Sequence, residues 1–190
     1  MMANQKEPSS YRAWVIRAVT NSICNKIGQT DDDSVIRNIA EQLCHLYRNA
    51  DHFTYRSFQG CSRDNTILAA AAYLNYQDFT KKLLANGYDP EKNTPFGLPV
   101  WAAAFAGNNS VVELLLTSGT GVTLRKRCFA ISGAANGGHL DTFNLLFSPR
   151  FGHMVPGNAT YPFLKEGLYR TSNPRIFDQT VALLKPYSHS

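Results

Sequence analysis

Charged residues are scarce in this chain. Asp, Glu, Lys and Arg make up 17% of its 190 residues, compared with about 25% in typical soluble domains. Hydrophobic residues, at 44%, are numerous enough to form a core, so we expect most of the chain to be folded. Uncharged polar side chains must therefore provide much of the solvation of the surface.

Long hydrophobic runs are also missing. No segment approaches the roughly 18 consecutive apolar residues of a membrane-spanning helix. The N-terminal residues do not have the basic and apolar regions of a signal peptide. The sequence therefore predicts a cytoplasmic or nuclear protein with no membrane partner.

Motifs for metal binding and catalysis are absent. The four cysteines form no CxxC pair, and no histidine lies at zinc-ligand spacing from them, so we expect no metal site. The sequence contains no Gly-rich phosphate loop, GxSxG or HExxH motif. We therefore predict no cofactor and assign no catalytic residue. Cys128, beside Arg127, is either a reactive thiol or, more simply, a small residue near the start of a helix.

A repeat of 31 or 32 residues is present. Ala71-Ala72 recurs as Ala103-Ala104 and as Ala134-Ala135, at offsets of 32 and then 31 residues. Further positions match in the same register: Leu68, Val100 and Ile131; Asn75, Gly107 and Gly138; Leu83, Leu115 and Leu146; Leu84, Leu116 and Phe147. Agreement at this many positions across three copies indicates a repeat architecture.

Each copy predicts two short helices followed by a loop. In the first copy, one helical stripe breaks near Asn75 and a second ends before Gly87. Gly87 and, one copy later, Gly119 are suited to the left-handed conformation that ends many helices. Because one helix pair cannot cover its own apolar face, neighbouring copies should stack.

These residues resemble the ankyrin repeat, whose pattern runs T-P-L-H-x-A-A-x-x-G-H and then E-V-V-x-L-L-L-x-x-G-A-D. The second copy fits it closely, with Ala103-Ala104, Gly107, Val111-Val112, Leu114-Leu115-Leu116 and Gly119. Trp101 departs from the pattern, since the family has histidine there, and Arg150 replaces the closing glycine. The resemblance covers residues 63–150. It implies three repeats in an all-α solenoid of stacked helix-turn-helix units with short or reduced hairpin loops.

Weaker helix pairs flank the three copies. Residues 11–51 predict an N-terminal capping pair, whose second helix is capped by Asp33 or Ser34. Residues 161–186 predict a C-terminal capping pair, because end repeats must cover an exposed apolar face. The chain 1–190 is therefore predicted to be a single repeat domain.

The resemblance implies a groove that binds partners. In ankyrin-like proteins the two positions after the Ala-Ala pair face this groove; here they are Tyr73 and Leu74, Phe105 and Ala106, Asn136 and Gly137. Stacked repeats would align Tyr73 with Phe105 as an aromatic strip that anchors a partner protein. Alternatively, both rings pack beneath neighbouring loops. Trp101 stands at a position that the family buries, so we predict that it belongs to the core.

Two loops between helix pairs are further candidate contacts. The first, residues 88–96, has mixed charge and three side chains suited to a partner: Tyr88, Lys92 and an exposed-looking Phe96. The second contains a basic run: Arg125, Lys126 and Arg127. This run would either steer an acidic partner or be a solvated loop without one.

Three functions follow from these patterns. The favoured one is a non-catalytic adaptor or scaffold that binds another protein through the groove and the loops. The second is a small-molecule binder or unusual enzyme, in which Tyr73, Trp101 and Phe105 form an apolar pocket under the 149–162 loop. The third, nucleic-acid binding, rests only on the basic run and on eight Lys and Arg against four Asp and Glu in residues 96–190.

Overall fold

The computed structural model describes residues 9–54, 63–119, 121–151, 164–165 and 169–184, and over these ranges the chain is helical. The helices are α1 (Ser9–Ile27), α2 (Asp33–Thr54), α3 (Arg63–Tyr73), α4 (Gln77–Ala85), α5 (Pro99–Phe105), α6 (Asn109–Thr117), α7 (Leu124–Gly137), α8 (Leu140–Leu146) and α9 (Pro174–Leu184). These ranges contain no β-strand, only an isolated bridge between Thr94 and Gly97. The predicted all-α class is confirmed.

The helices pack in consecutive pairs. α1 contacts α2, α3 contacts α4, α5 contacts α6, and α7 contacts α8. Neighbouring pairs meet mainly through their first helices, because α1 packs on α3, α3 on α5 and α5 on α7. The second helices α4, α6 and α8 also contact one another in series, and α9 contacts α8. None of the described helices combines the length and the apolar character that crossing a membrane requires.

Small residues allow α5 and α7 to approach closely. Ala102, Ala103 and Ala104 of α5 are fully buried. A Cβ atom added at Gly133 of α7 would lie 2.5 Å from the backbone oxygen of Trp101. A Cβ added at Gly137 would overlap the backbone oxygen of Phe105. The contact between these two helices is therefore backbone against backbone, with no room for larger side chains.

The first helix of each pair ends in the same kind of turn. Asn75, Gly107 and Gly138 follow α3, α5 and α7, and their φ angles are 60°, 75° and 74°. These are the residues that match in register in the sequence, so the repeat pattern encodes this turn. Gly87 and Gly119, which follow the second helices, also have positive φ angles, as predicted. The reversal after each first helix carries the chain back along its partner helix.

The N-terminal pair is longer than its pattern predicts, since α1 and α2 together span Ser9–Thr54. The cap of α2 is Asp32 rather than Asp33 or Ser34. Its Oδ1 accepts hydrogen bonds from the Ser34 hydroxyl (2.6 Å), the Ser34 backbone N–H (2.9 Å) and the Val35 backbone N–H (3.3 Å). These bonds, that of the Ser34 hydroxyl first, lower the pKa of Asp32.

Of the predicted C-terminal pair, the structure describes the second helix, α9, Pro174–Leu184. Most of the predicted first helix, and residues 152–162 of the predicted loop, lie outside the described residues.

Candidate functional site

An open groove of about 570 Å³ lies where α3, α5 and α7 end. Its lining residues come from four helices and from the turns that follow them: Gln42, His45, Asn49, Tyr73, Leu74, Asn75, Phe105, Ala106, Asn108, Asn136, Gly137 and His139. All six positions that follow the three Ala-Ala pairs are among them. The structure thus brings Tyr73, Leu74, Phe105, Ala106 and Asn136 together, although they belong to three different helix pairs.

Stacked rings form one wall of the groove. The Phe105 ring stacks on the Trp101 indole, with centroids 5.0 Å apart and planes 7° apart. Tyr73 and His45 stack on Phe105 at centroid distances of 6.3 Å and 5.6 Å. The Tyr73 hydroxyl lies 3.2 Å from His45 Nδ1, and burial raises the pKa of Tyr73. The predicted alignment of Tyr73 with Phe105 is confirmed.

The exposure of the two rings differs. Phe105 is only 7% exposed, because Trp101 covers it and its neighbours surround it. Tyr73 is partly buried and packs against the core. Phe105 therefore supports the groove from beneath, whereas Tyr73 presents more of its surface to it. Trp101 is fully buried, as predicted.

Carboxamide side chains supply most of the polar groups of the groove. Asn108 Nδ2 donates to the backbone oxygens of Ala72 (2.9 Å) and Tyr73 (2.8 Å), and so satisfies the end of α3. Asn49 Nδ2 donates to the backbone oxygen of His45 at 2.8 Å. Asn136 differs from both, since its Oδ1 and Nδ2 are shielded from solvent and have no hydrogen-bond partner among the described residues.

Six of the lining residues were not predicted: Gln42, His45, Asn49, Asn75, Asn108 and His139. The first three lie on α2, where the weak repeat pattern does not define which face meets the later pairs. The other three lie in turns, beyond the two positions that the family resemblance assigns to a groove. The shared register of Asn75, Gly107 and Gly138 was the signal that marked these turns.

The exposure expected for Phe96 was wrong. Phe96 is fully buried, and its ring meets that of Tyr47 edge-on at 6.0 Å. The Thr94 hydroxyl turns the loop inward, because it donates to the Gly97 oxygen at 2.7 Å and accepts from the Phe96 N–H at 3.0 Å. In the same loop, Lys92 is exposed and Tyr88 is partly buried against the core.

The basic run does not form a positive tip. Only Arg125 is exposed, and its guanidinium donates to the Glu91 backbone oxygen at 2.6 Å and to Asn93 Oδ1 at 3.2 Å. Arg127 is partly buried and Lys126 is fully buried. Both alternatives for the run, a positive tip that steers an acidic partner and a solvated loop, were therefore wrong at Lys126. The run instead anchors neighbouring loops.

Lys126 is the central group of this anchor. Its Nζ donates to the backbone oxygens of Ser118 (2.6 Å) and Gly121 (3.0 Å) and lies 3.7 Å from Glu91 Oε1. Burial lowers the pKa of Lys126, and the Glu91 carboxylate opposes part of that shift. A single cation thus joins the loop before α7 to the loop before α5.

Replacing Lys126 with methionine is expected to lower the free energy of unfolding by about 1–3 kcal/mol, because two backbone oxygens lose a charged donor. Urea unfolding followed by circular dichroism measures this loss. Lys92→Met, which removes an exposed lysine from the loop before α5, is the control and should change stability by less than about 0.5 kcal/mol. Equal effects of the two substitutions would contradict the anchoring role.

Cys128 is not an activated thiol. It is 2% exposed, and burial raises its pKa more than the neighbouring Arg127 lowers it. Cys24 is equally buried, and burial raises its pKa as well. The structure therefore supports the simpler interpretation of Cys128 as a small residue in a helix.

Iodoacetamide should modify Cys44, which is partly buried, well before it modifies Cys24 or Cys128 in the folded chain. Alkylation requires an accessible thiolate, and both buried thiols lack access and have raised pKa values. Peptide mapping by mass spectrometry reads each site separately. Modification of Cys128 as fast as Cys44 would restore the reactive interpretation, and denaturant should abolish the difference between the sites.

Within the described ranges, no group of three His, Cys, Asp or Glu side chains is placed to hold a metal ion. No protein-family model, curated protein or solved structure matches the chain at a significant level. The function of the groove is therefore argued from its own geometry.

Proposed function

We propose that this chain is a non-catalytic protein–protein interaction module, an adaptor or scaffold, that binds its partner in the groove. The observation that supports this proposal is the position in the repeat from which the lining residues come. Equivalent positions of three successive helix pairs, represented by Tyr73, Phe105 and Asn136, face one open groove. A surface built by repetition along stacked helices is extended, which suits a partner chain lying across it.

We further propose that the arrangement is an ankyrin-like solenoid. Three observations support it: the 31- or 32-residue spacing, the serial packing of the first helices, and the positive φ angle at the equivalent residues Asn75, Gly107 and Gly138. In such a solenoid each pair contacts only its neighbours, so the groove can be extended or varied pair by pair.

The rigidity of the groove also favours binding. Its lining side chains stand on packed helices and in the turns that follow them. Tyr73 stacks on Phe105, which in turn stacks on the buried Trp101. Preformed aromatic surfaces lose little conformational entropy when a partner binds. Residues of this kind commonly dominate the binding energy of interfaces.

Ala106→Arg is expected to abolish binding in the groove without removing any core side chain. Ala106 lines the groove and is partly exposed, so a long charged side chain there would occupy the space of a partner. Ala85→Arg is the matched control, because Ala85 is exposed in the last turn of α4 and does not line the groove. Affinity capture from cell lysate, read by mass spectrometry, compares these two variants with the unmodified chain.

A protein that the unmodified chain and Ala85→Arg retain but Ala106→Arg loses would support the proposal. A protein retained equally by all three would place the interaction outside the groove. Recovery of a small molecule alone would instead favour the pocket hypothesis, whose 149–162 loop lies mostly outside the described residues and which stays a prediction. Nucleic-acid binding stays a prediction too, and a steep salt dependence of association would be its signature.

A further inference from the structure

A second depression of about 300 Å³ adjoins the groove. His139 lines both, and Gly107, which lines the depression, lies between two residues of the groove. Thr142 lines the depression too, and its hydroxyl donates to Asn109 Oδ1 at 2.6 Å. The two hollows therefore form one continuous binding surface.

On this surface, charged side chains are confined to the depression. Among the described lining residues, the groove holds no Asp, Glu, Lys or Arg, and Asp141 is the single charged residue of the depression. Asp141 is exposed in the first turn of α8. A partner segment therefore meets neutral side chains along the groove and a carboxylate in the adjoining depression.

The C-terminal ends of three helices add partial negative charge along the groove itself. α3, α5 and α7 end at Tyr73, Phe105 and Gly137, all of which line the groove. The C-terminal end of a helix carries partial negative charge, which favours cations and hydrogen-bond donors and disfavours anions. At the depression, α6 and α8 begin at Asn109 and Leu140, and their N-terminal ends offset part of the charge of Asp141. An acidic segment in the groove would thus lie against three helix C-termini, with no lysine or arginine of the described lining to compensate.

The neutral part of the surface is rich in carboxamides, which carry a donor and an acceptor side by side, as a peptide bond does. Asn136 is the most informative of them. It lines the groove, yet its Oδ1 and Nδ2 are shielded and without partners. A buried amide left in this way is costly. Rotation of its side chain toward a backbone lying in the groove would satisfy both atoms, since side-chain rotations on binding are common.

The length of the groove fits a short extended segment. It crosses α3, α5 and α7, which are two helix-to-helix spacings of about 8–10 Å each. An extended chain advances about 3.3 Å per residue. About five or six residues would therefore cross the groove, and the depression adjoins it at the turns that follow α5 and α7.

We propose that the surface binds an extended peptide segment of about five or six uncharged residues with a lysine or arginine at the end that lies over Asp141. Carboxamides, Asn136 foremost, bind the backbone of this segment. Asp141 selects the basic side chain and sets the direction of the peptide. This inference rests on the proposed function and specifies the partner of the same groove.

The test is selection of a phage-displayed random dodecapeptide library on the folded chain. The expected result is a set of peptides that share an uncharged stretch of about five or six residues next to a lysine or arginine. Selection on Asp141→Lys should exchange this basic residue for Asp or Glu and retain the uncharged stretch. Selection on Ala85→Arg, the control, should return the original set.

Affinities of one selected peptide, measured by fluorescence polarisation, test the two contacts separately. Asn136→Leu keeps the side-chain size and should weaken binding about tenfold or more. Asp141→Asn should weaken it about two- to fivefold, as expected for an exposed ion pair, and this difference should vanish at high salt. Circular dichroism establishes that each variant is folded. A peptide whose basic residue is replaced by glutamine should bind the unmodified chain and Asp141→Asn with equal affinity.

Several results would overturn the inference: selection of acidic peptides, the same peptides on Asp141→Lys as on the unmodified chain, an affinity unchanged by Asn136→Leu, or no selected peptide at all. None of them decides the proposed function, because lysate capture with Ala106→Arg detects a groove partner of any chemistry. If Ala106→Arg lost a folded partner protein and no peptide were selected, the proposed interaction module would be retained and the peptide inference rejected. If Ala106→Arg lost no protein, the proposed binding of a partner in the groove would be rejected.

Discussion

Replacing Trp101 with alanine is expected to lower the free energy of unfolding by about 3–5 kcal/mol. Trp101 is fully buried, and its indole stacks on Phe105 at a centroid distance of 5.0 Å. The substitution would leave a cavity beside Phe105, because a close-packed core relaxes only partly around a deleted side chain. For a domain of this size the melting temperature should fall by about 10 °C, measured by circular dichroism.

The chain provides its own control for this substitution, because it has two tryptophans. Trp14, the other one, is 49% exposed on α1, so Trp14→Ala should cost about 1 kcal/mol or less. Trp101→Phe should fall between the two, since it retains a ring to stack on Phe105. Similar losses for Trp101→Ala and Trp14→Ala would show that the core does not depend on Trp101.

Alanine at Gly137 is expected to destabilise the chain by about 2–3 kcal/mol, although alanine favours helix over glycine by about 1 kcal/mol. The added methyl group would overlap the Phe105 backbone oxygen, which cannot move unless α5 and α7 separate. Gly133→Ala should act in the same direction, because its Cβ would lie 2.5 Å from the Trp101 oxygen. Urea denaturation measures both effects.

Ser110→Ala is the control for these two substitutions. Ser110 is exposed on α6, so a small change there should alter stability by less than about 0.5 kcal/mol. If Gly137→Ala stabilised the chain, helix propensity would outweigh packing, and α5 and α7 would not be in backbone contact. A Gly133→Ala, Gly137→Ala double variant should lose more stability than either single variant, and the difference between its loss and the sum of the two single losses reports their coupling.

The repeat pattern was sufficient to predict the helical part of the fold. Helix periodicity and the alanine pairs are local features, and each copy repeats them in register. Register aligned positions 73, 105 and 136, and the resemblance to the ankyrin repeat implied that they would face a groove; the structure places all three in its lining. The same resemblance implied the burial of Trp101, which stands at a position that the family buries. Register can predict these contacts because stacked units bring equivalent positions together.

The repeat pattern did not predict the burial of loop side chains, because that burial depends on contacts that periodicity does not describe. Phe96 lies in a polar loop, yet it is buried against Tyr47, 49 residues earlier in the chain. Lys126 lies in a basic run, yet backbone oxygens of a neighbouring turn bind its ammonium group. In both cases the composition of the segment predicted exposure, and hydrogen bonds within or between loops overrode it.

The sequence by itself therefore determined the helical class, the spacing of the helix pairs and which repeat positions are equivalent. All of these depend on periodicity and on small residues at fixed intervals. Tertiary structure alone decided that α2 supplies Gln42, His45 and Asn49. It also decided that, among the described residues, Asn136 is shielded without a partner and Asp141 is the one charged residue that lines the surface. These features arise where separate helix pairs meet, so they depend on how the whole chain packs.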